Sequence, residues 1–355
     1  MSIMIDFFAV MKLIKELERK NLGIWRDMYR TIFLFRDGAI KNIITNIKGD
    51  SNTVCCFLTP LLKDFLTVNA GIYPKNVHLI ISVISIGGAK EHNDAREFIF
   101  EHLRSRKVSF IAIPFPLSND SFCTNRSKKK FDDINIPSRE TVYPTHVIVD
   151  VDALLGLPYE RNLVGVGEIL GLIFSMNDYM HSRKIVIAPD VIAFVEKFIA
   201  DLLRLAPRKT RSSIRNIALG LMMKCLIMRV AGTNHIGALG DHMLAYALDA
   251  KLREHNIYLS HGQLVYLGSV LMAKLFPDWI ASESLKAEKL IVAGLRLGIL
   301  NIDIVRKILG LLNFGLVRSA IKIRPNRLSS LATLGEMEVS KKFSELSDFI
   351  NQTCV

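Results

Sequence analysis

Residues 231–268 read AGTNHIGALGDHMLAYALDAKLREHNIYLSHGQLVYLG, and the reading of this stretch decides the reading of the whole chain. His242 follows an acid, Asp241, at the head of an apolar run with helical spacing. His261 then stands at the start of a second such run, followed at once by Gly262. Two imidazoles offered from helix starts suit a metal as a pair of neutral ligands. The competing reading is two histidines satisfied by packing, so the remainder of the sequence has to decide.

At 355 residues the chain exceeds one ordinary core, and two domains are expected. Half of the residues are hydrophobic and the mean hydropathy is +0.28. The longest uncharged window, Asn256–Ala273, still carries Ser260, His261, Gln263 and Ser269, so it reads as a buried element and no membrane span is expected. The first residues show no signal-peptide cleavage pattern, and a cytoplasmic home is expected. Five cysteines (Cys55, Cys56, Cys123, Cys225, Cys354) without CxxC spacing read as reduced thiols in the core. The net charge of +12 suits nucleic acid or anionic small molecules equally well. Its basic residues are dispersed apart from Arg126-Ser127-Lys128-Lys129-Lys130, and no nucleic-acid-binding motif accompanies them, so a nucleic-acid partner is not expected.

Along the chain, residues 1–30 read as a helical extension, with Phe7, Phe8, Met11, Ile14 and Leu17 on one amphipathic face. Short apolar runs then alternate with helical ones. The strands expected are Ile32–Phe35, Thr53–Leu58, Val77–Ile86, Val108–Ile113 and His146–Val151. Helices are expected at Ala39–Ile47, Pro60–Ala70 and Asn93–Arg106, and a polar loop or short hairpin at 118–144. This alternation argues for βαβ units on a parallel sheet over 31–158. Beyond Pro158 strand signals fade. Helical periodicity takes over in Leu163–Tyr179, Val191–Leu205, Ile214–Val230, Leu239–His255, Gly262–Phe276, Ser284–Leu297 and Ile302–Phe314, giving a helical domain at 159–345.

Several stretches suit ligand chemistry. The run Val77–Ile86 leads into Gly87-Gly88-Ala89-Lys90, where glycines let backbone approach a pyrophosphate and the next helix offers its N–H groups; a strand-to-helix turn needs glycine in any case. The next strand exits through Ile113-Pro114-Phe115-Pro116 into Ser118-Asn119-Asp120, at the strand end where open α/β sheets bind ligands; an ordinary Asx turn reads the same way. Thr145–Pro158 is a strand ending in Asp150 and Asp152. Glu168 sits among Ile169, Leu170, Leu172, Ile173 and Phe174, and a carboxylate buried there needs a cation, unless it lies on the surface.

Taken together, the glycine turn, PxxLSND, VIVDVDALxxxP, GxGE, AGxxxxxxxGDH and HGxxVxxG resemble, in order and spacing, the metal-dependent polyol dehydrogenase family. That family includes glycerol dehydrogenase and sn-glycerol-1-phosphate dehydrogenase, in a superfamily with the dehydroquinate synthases. The resemblance covers about residues 78–275 and is nearest to the glycerol-1-phosphate dehydrogenases. It implies a dehydroquinate-synthase-like fold, α/β plus all-α: a Rossmann-like parallel-sheet domain followed by a helical domain, with the active site in the cleft between them.

The resemblance also implies roles. His242 and His261 match the family's two metal-binding histidines, and Glu168 stands where the dehydrogenases place aspartate and the dehydroquinate synthases glutamate. These three would hold Zn²⁺, Fe²⁺ or Ni²⁺. Gly87, Gly88 and Ala89 match the pyrophosphate turn, Ala89 replacing its third glycine. With Asn93 and Ser118 they would bind NAD(H) or NADP(H), and Asp120 would lie beside the substrate hydroxyls. The sequence departs from the family at Asn93 (an aspartate there), Arg96 (a lysine), Pro116 (a hydroxyl residue) and His235-Ile236 (an Arg-Pro pair). The activity implied is NAD(P)-linked reduction of a small phosphorylated ketone by a homo-oligomer, the phosphate clamped by Arg126 or Lys128–Lys130. Two alternatives stay open: a sugar-phosphate cyclase of the dehydroquinate synthase type, and a non-catalytic relative acting as a binding protein.

Overall fold

The protein is described by a computed structural model covering residues 31–47, 54–59, 80, 82–127, 130–131, 134–135, 139–325 and 327–353. The amphipathic segment at 1–30 and the helix expected at Pro60–Ala70 lie outside the described residues. By internal contacts the described chain divides into two compact units. One comprises 31–162 with 210–218, and the other 163–209 with 219–353.

The first unit holds a five-stranded sheet of β1 (Ile32–Phe35), β2 (Val54–Leu58), β3 (Ser82–Gly87), β4 (Ser109–Pro114) and β5 (His146–Val149). Its spatial order is β1-β5-β4-β3-β2, and every pairing is parallel. Central parallel strands are covered on both faces, so they read as apolar runs rather than alternating ones. In β3, Val83, Ile84, Ser85 and Ile86 are all buried. The register pairs Gly87 with Pro114, which brings the glycine turn and the start of the LSND loop side by side at the carboxyl ends of two interior strands. The Phe115 N–H donates to the Gly87 carbonyl at 2.8 Å at the same end of the sheet.

Helix α1 (Ala39–Ile47) follows β1, and α2 (Ala89–Phe98) follows β3 and packs on β3 and β2. Helix α2 begins four residues before the expected Asn93. Its buried residues are His92, Ala95, Arg96 and Glu97, so its inward face is mostly polar and apolar periodicity does not register it. A π-helical turn, Ile99–Leu103, continues it. The polar 118–144 stretch contains two short antiparallel ladders, 126–127 with 139–140 and 130–131 with 134–135. Asp150 caps α3 (Val151–Gly156) through Ala153 N–H at 3.1 Å and also accepts from Gly38 and Ile40 N–H at 3.2 and 2.8 Å. The aspartate at the end of the last strand is thus a tether between β5 and the start of α1.

The second unit is helical among the described residues: α4 (Glu160–Arg183, from Leu163 onward), α5 (Pro189–Leu205), α6 (Arg211–Val230, from Leu219 onward), α7 (Gly240–Glu254), α8 (His261–Leu275), α9 (Ala287–Leu297), α10 (Ile302–Leu309), α11 (Phe314–Ile323) and α12 (Glu336–Thr353). By length and composition α4 is apolar enough to cross a membrane, yet 83% of its most apolar window is buried inside the protein. Ile169, Leu170, Leu172, Ile173 and Phe174 are each fully buried, and burial of such a side chain stabilises by roughly 1.5–3 kcal/mol. The single helix expected at Ile302–Phe314 is instead broken. It ends before Gly310, and Asn313 starts α11 by accepting from Leu316 N–H at 3.1 Å. Cys55, Cys56, Cys123 and Cys225 are buried thiols, in keeping with core placement. Burial pushes the Cys55 and Cys56 thiols up to about 12.

One buried titratable group in the sheet unit makes stability depend on pH. His92 is fully enclosed, with Nδ1 2.6 Å from Ser85 Oγ. Burial pushes its imidazole down to about 3, and the Arg96 guanidinium adds to the effect. The folded protein keeps it neutral, whereas the unfolded chain takes up a proton near the ordinary value of 6.5. Its contribution is therefore whole above pH 6.5 and is lost as pH falls toward about 3, by about 1.4 kcal/mol per pH unit. Urea denaturation at a series of pH values tests this. Between pH 6.5 and 5 the wild type should lose about 2 kcal/mol more than His92→Gln, and parallel slopes would contradict the assignment.

Candidate metal centre

Three helices of the second unit converge on one carboxylate. Glu168 lies in α4, His242 in the first turn of α7 and His261 at the start of α8. One ligand atom from each lies within 4.8 Å of the other two. Glycine makes this approach possible. A Cβ on Gly262 would overlap the Val164 carbonyl, one on Gly167 the Gly262 carbonyl, and one on Gly268 the Asp241 carbonyl. The backbones of α4 and α7 each touch that of α8 at these points, so glycine is required beside Glu168 and His261.

Glu168 is buried, and its Oε1 lies 3.1 Å from His261 Nε2 while Oε2 lies 3.4 Å from His242 Nε2. His242 turns Nδ1 to Asp241 Oδ2 at 2.8 Å, which leaves Nε2 facing the glutamate. Asp241 Oδ1 in turn accepts from Ser175 Oγ and from Leu239 N–H, the latter at 3.2 Å. Burial alone would depress the His242 imidazole, but Asp241 and Glu168 outweigh it and push it up to about 9. Burial likewise opposes charge on Glu168, yet Lys224 and the two imidazoles hold its carboxyl well below the usual range. The side of His261 away from the pair is partly open, and its ring stacks on Tyr246 at 5.7 Å between centroids. The Arg324 guanidinium covers the Tyr246 ring at 4.8 Å. Asp178 anchors the start of α7 by accepting from Gly240 N–H at 3.0 Å, and holds Ser329 Oγ and Ser330 N–H at 2.7 Å.

This donor set fits a divalent cation. One carboxylate and two imidazoles suit Zn²⁺, Fe²⁺ or Ni²⁺, and a carboxylate on the far nitrogen of a ligating histidine is the usual orienting partner. One group was not foreseen: Lys224, in α6, whose buried ammonium pairs with Glu168 Oε2. It is the lone cation in the apolar run Ile217–Met228, the same signal that singled out Glu168.

The remaining expected site residues lie in the sheet unit. Gly87 ends β3, Gly88 precedes α2, and Ala89 is its first residue. Glu91 folds back over this turn and accepts from Gly88 N–H at 2.9 Å, taking the donor a pyrophosphate would use. Asn93 Oδ1 accepts from Arg96 at 3.2 Å. Arg96, fully buried, donates through both terminal nitrogens to the Ser121 carbonyl at 2.6 Å, pinning the loop that carries Ser118 and Asp120. Ser118 Oγ accepts from the Asn119 side chain at 3.1 Å, and the Asp120 carbonyl accepts from Cys123 N–H at 3.2 Å. Of the expected phosphate clamps, Arg126 is paired with Glu140 at 2.6 Å, while Lys128 and Lys129 lie outside the described residues, as does the Lys130 side chain.

No protein-family model matches the chain. Its fold is that of the glycerol dehydrogenase and iron-containing alcohol dehydrogenase group. A probable glycerol dehydrogenase from Sinorhizobium meliloti superimposes with TM-score 0.66 at 16% identity, over 91% of this chain and 97% of that one. An iron-containing alcohol dehydrogenase gives 0.58 at 13% identity, over 90% and 98%. In sequence, the chain is 24% identical over 202 residues to glycerol-1-phosphate dehydrogenase of Pyrobaculum aerophilum, across 54% of this chain and 58% of that protein. It is 22% identical over 311 residues to that of Saccharolobus islandicus, across 84% and 81%. The match therefore spans little more than half of the Pyrobaculum protein. In sequence the chain is thus similar to glycerol-1-phosphate dehydrogenases at 22–24% identity, and in fold to glycerol and iron-containing alcohol dehydrogenases.

The turn at Gly88 yields a prediction. Glu91→Ala frees the Gly88 N–H and removes a negative charge from the seat of an incoming phosphate. NADH affinity, read by fluorescence titration, should rise about three- to tenfold, a gain of about 0.7–1.4 kcal/mol. Unchanged or weaker binding would show that the carboxylate does not compete for the turn.

Proposed function

We propose that the protein is a metal-dependent, NAD(P)-linked oxidoreductase that reduces a small phosphorylated ketone, of the dihydroxyacetone phosphate to glycerol 1-phosphate type. The observation that carries this reading is the meeting of Glu168, His242 and His261 within 4.8 Å, backed by Asp241 on the far nitrogen of His242. These three would hold the cation. Bound there, it would supply Lewis acidity, polarising the ketone so that the carbonyl carbon accepts hydride from a nicotinamide.

The chain's own residues do the positioning. Asp241 fixes the tautomer and ring angle of His242, and Asp178 fixes the helix start from which both project. Tyr246 fixes the His261 ring by stacking. Gly87, Gly88 and Ala89 would receive the pyrophosphate once Glu91 moves aside, with Asn93 and Ser118 beside it. Arg96 holds the loop that would present Asp120 to the substrate hydroxyls. With Arg126 paired to Glu140, the better phosphate clamps are Arg324, over Tyr246, and Arg327, which reaches the Ala238 carbonyl. A second reading, a non-catalytic relative, is favoured by Glu91 on the Gly88 N–H and Lys224 on Glu168.

The test follows nicotinamide absorbance in purified protein given Zn²⁺, dihydroxyacetone phosphate and NADH or NADPH. Net oxidation is expected, and Asp241→Asn should lower kcat/KM about 10- to 100-fold. Phosphate release without net cofactor change would mark a cyclase instead. Neither product, with Zn²⁺, Fe²⁺ or Ni²⁺ supplied in turn, would sink the enzymatic reading.

A further inference from the structure

Lys224 is a lysine with almost no exposed surface, held in an apolar helix with its ammonium on Glu168 Oε2. Its stem packs near Gly237, where a Cβ would touch Lys224 Cε at 3.4 Å, an ordinary contact, and overlap Met228 at 2.7 Å. The ammonium sits on one of the two oxygens of the carboxylate through which a metal would be held, and the same Oε2 faces His242 Nε2. Its charge is also felt at Asp241 and His242. Two physical consequences follow. A carboxylate as buried as Glu168 is costly without a cation, and Lys224 supplies one that cannot diffuse away. The same fixed charge opposes a divalent ion brought onto the same carboxylate, because repulsion at a few ångströms is strong where water is excluded.

We propose that Lys224 is a resident cation of this centre, neutralising Glu168 without a metal and setting a weak affinity for the divalent ion. The proposal rests on the reading of Glu168, His242 and His261 as metal ligands, and its test does not use turnover.

The probe is Zn²⁺ alone, titrated against a fluorescent chelator, into the full-length wild type, Lys224→Met and Lys224→Gln, each checked for folding by circular dichroism. Both variants should bind one Zn²⁺ at least tenfold more tightly than the wild type, and adding His242→Ala should abolish the gain. Without metal, Lys224→Met should melt at a lower temperature than the wild type and recover on Zn²⁺ addition, while the wild type shifts little. Folded variants that bind Zn²⁺ no more tightly than the wild type would overturn the proposal. So would a wild type that takes Zn²⁺ with nanomolar Kd, a result that needs no variant. Ketone reduction without the tightening would remove this proposal and leave the dehydrogenase reading intact; tightening without reduction would do the reverse.

Discussion

The buried carboxylate of Glu168 organises the helical unit. Glu168 lies in the middle of α4 among side chains that exclude water, and an isolated carboxylate there would cost several kcal/mol. The fold answers with three groups from three other helices: Lys224 from α6, His242 from α7 and His261 from α8. Each must come close, and the glycines at 167, 262 and 268 let the helix backbones do so. The network then extends outward through Asp241 to Ser175, and the α7 start is fixed separately by Asp178 with Ser329 and Ser330. Burial pushes the Asp178 carboxyl up, while its hydrogen bonds from the two serines offset part of that.

Opposite charges meet opposite seats in the two units. Lys224 brings a positive charge to the place where the donor set suits a metal, and Glu91 brings a negative one to the backbone donor that suits a phosphate. Each side chain satisfies a group that would otherwise be left uncompensated. Each therefore also competes with any ligand of its own charge type at that place. Asn93 and Arg96 form a related case. The pair is linked to each other, and Arg96 spends its guanidinium on the Ser121 carbonyl, so its role within the structure is to hold the loop.

What could be read from the sequence follows from how burial is written in residue types. Strands such as Ser82–Gly87 and the long apolar helices stand out because their buried faces are apolar, and β1 and α1 begin and end where the apolar pattern places them. Glu168 stood out as a charge in an apolar run, whereas the close backbone contacts at Gly167 and Gly262 beside Glu168 and His261 emerge only from the folded helices. Lys224 carries the same signature in Ile217–Met228 but no motif frames it, and a lone lysine in a helix reads as a surface residue whose stem reaches out to water. The start of α2 was misplaced because its inward face is His92, Arg96 and Glu97. The role of Glu91 depends on a side chain folding back three residues, which spacing alone does not encode.

The most direct test of this account is a crystal structure grown with an excess of Zn²⁺ and measured at the zinc absorption edge. The account predicts an anomalous peak bound by Glu168, His242 and His261 at about 2.0–2.2 Å, with Lys224 still hydrogen-bonded to the glutamate. Zinc bound elsewhere, or a structure in which these three side chains point away from one another, would contradict it.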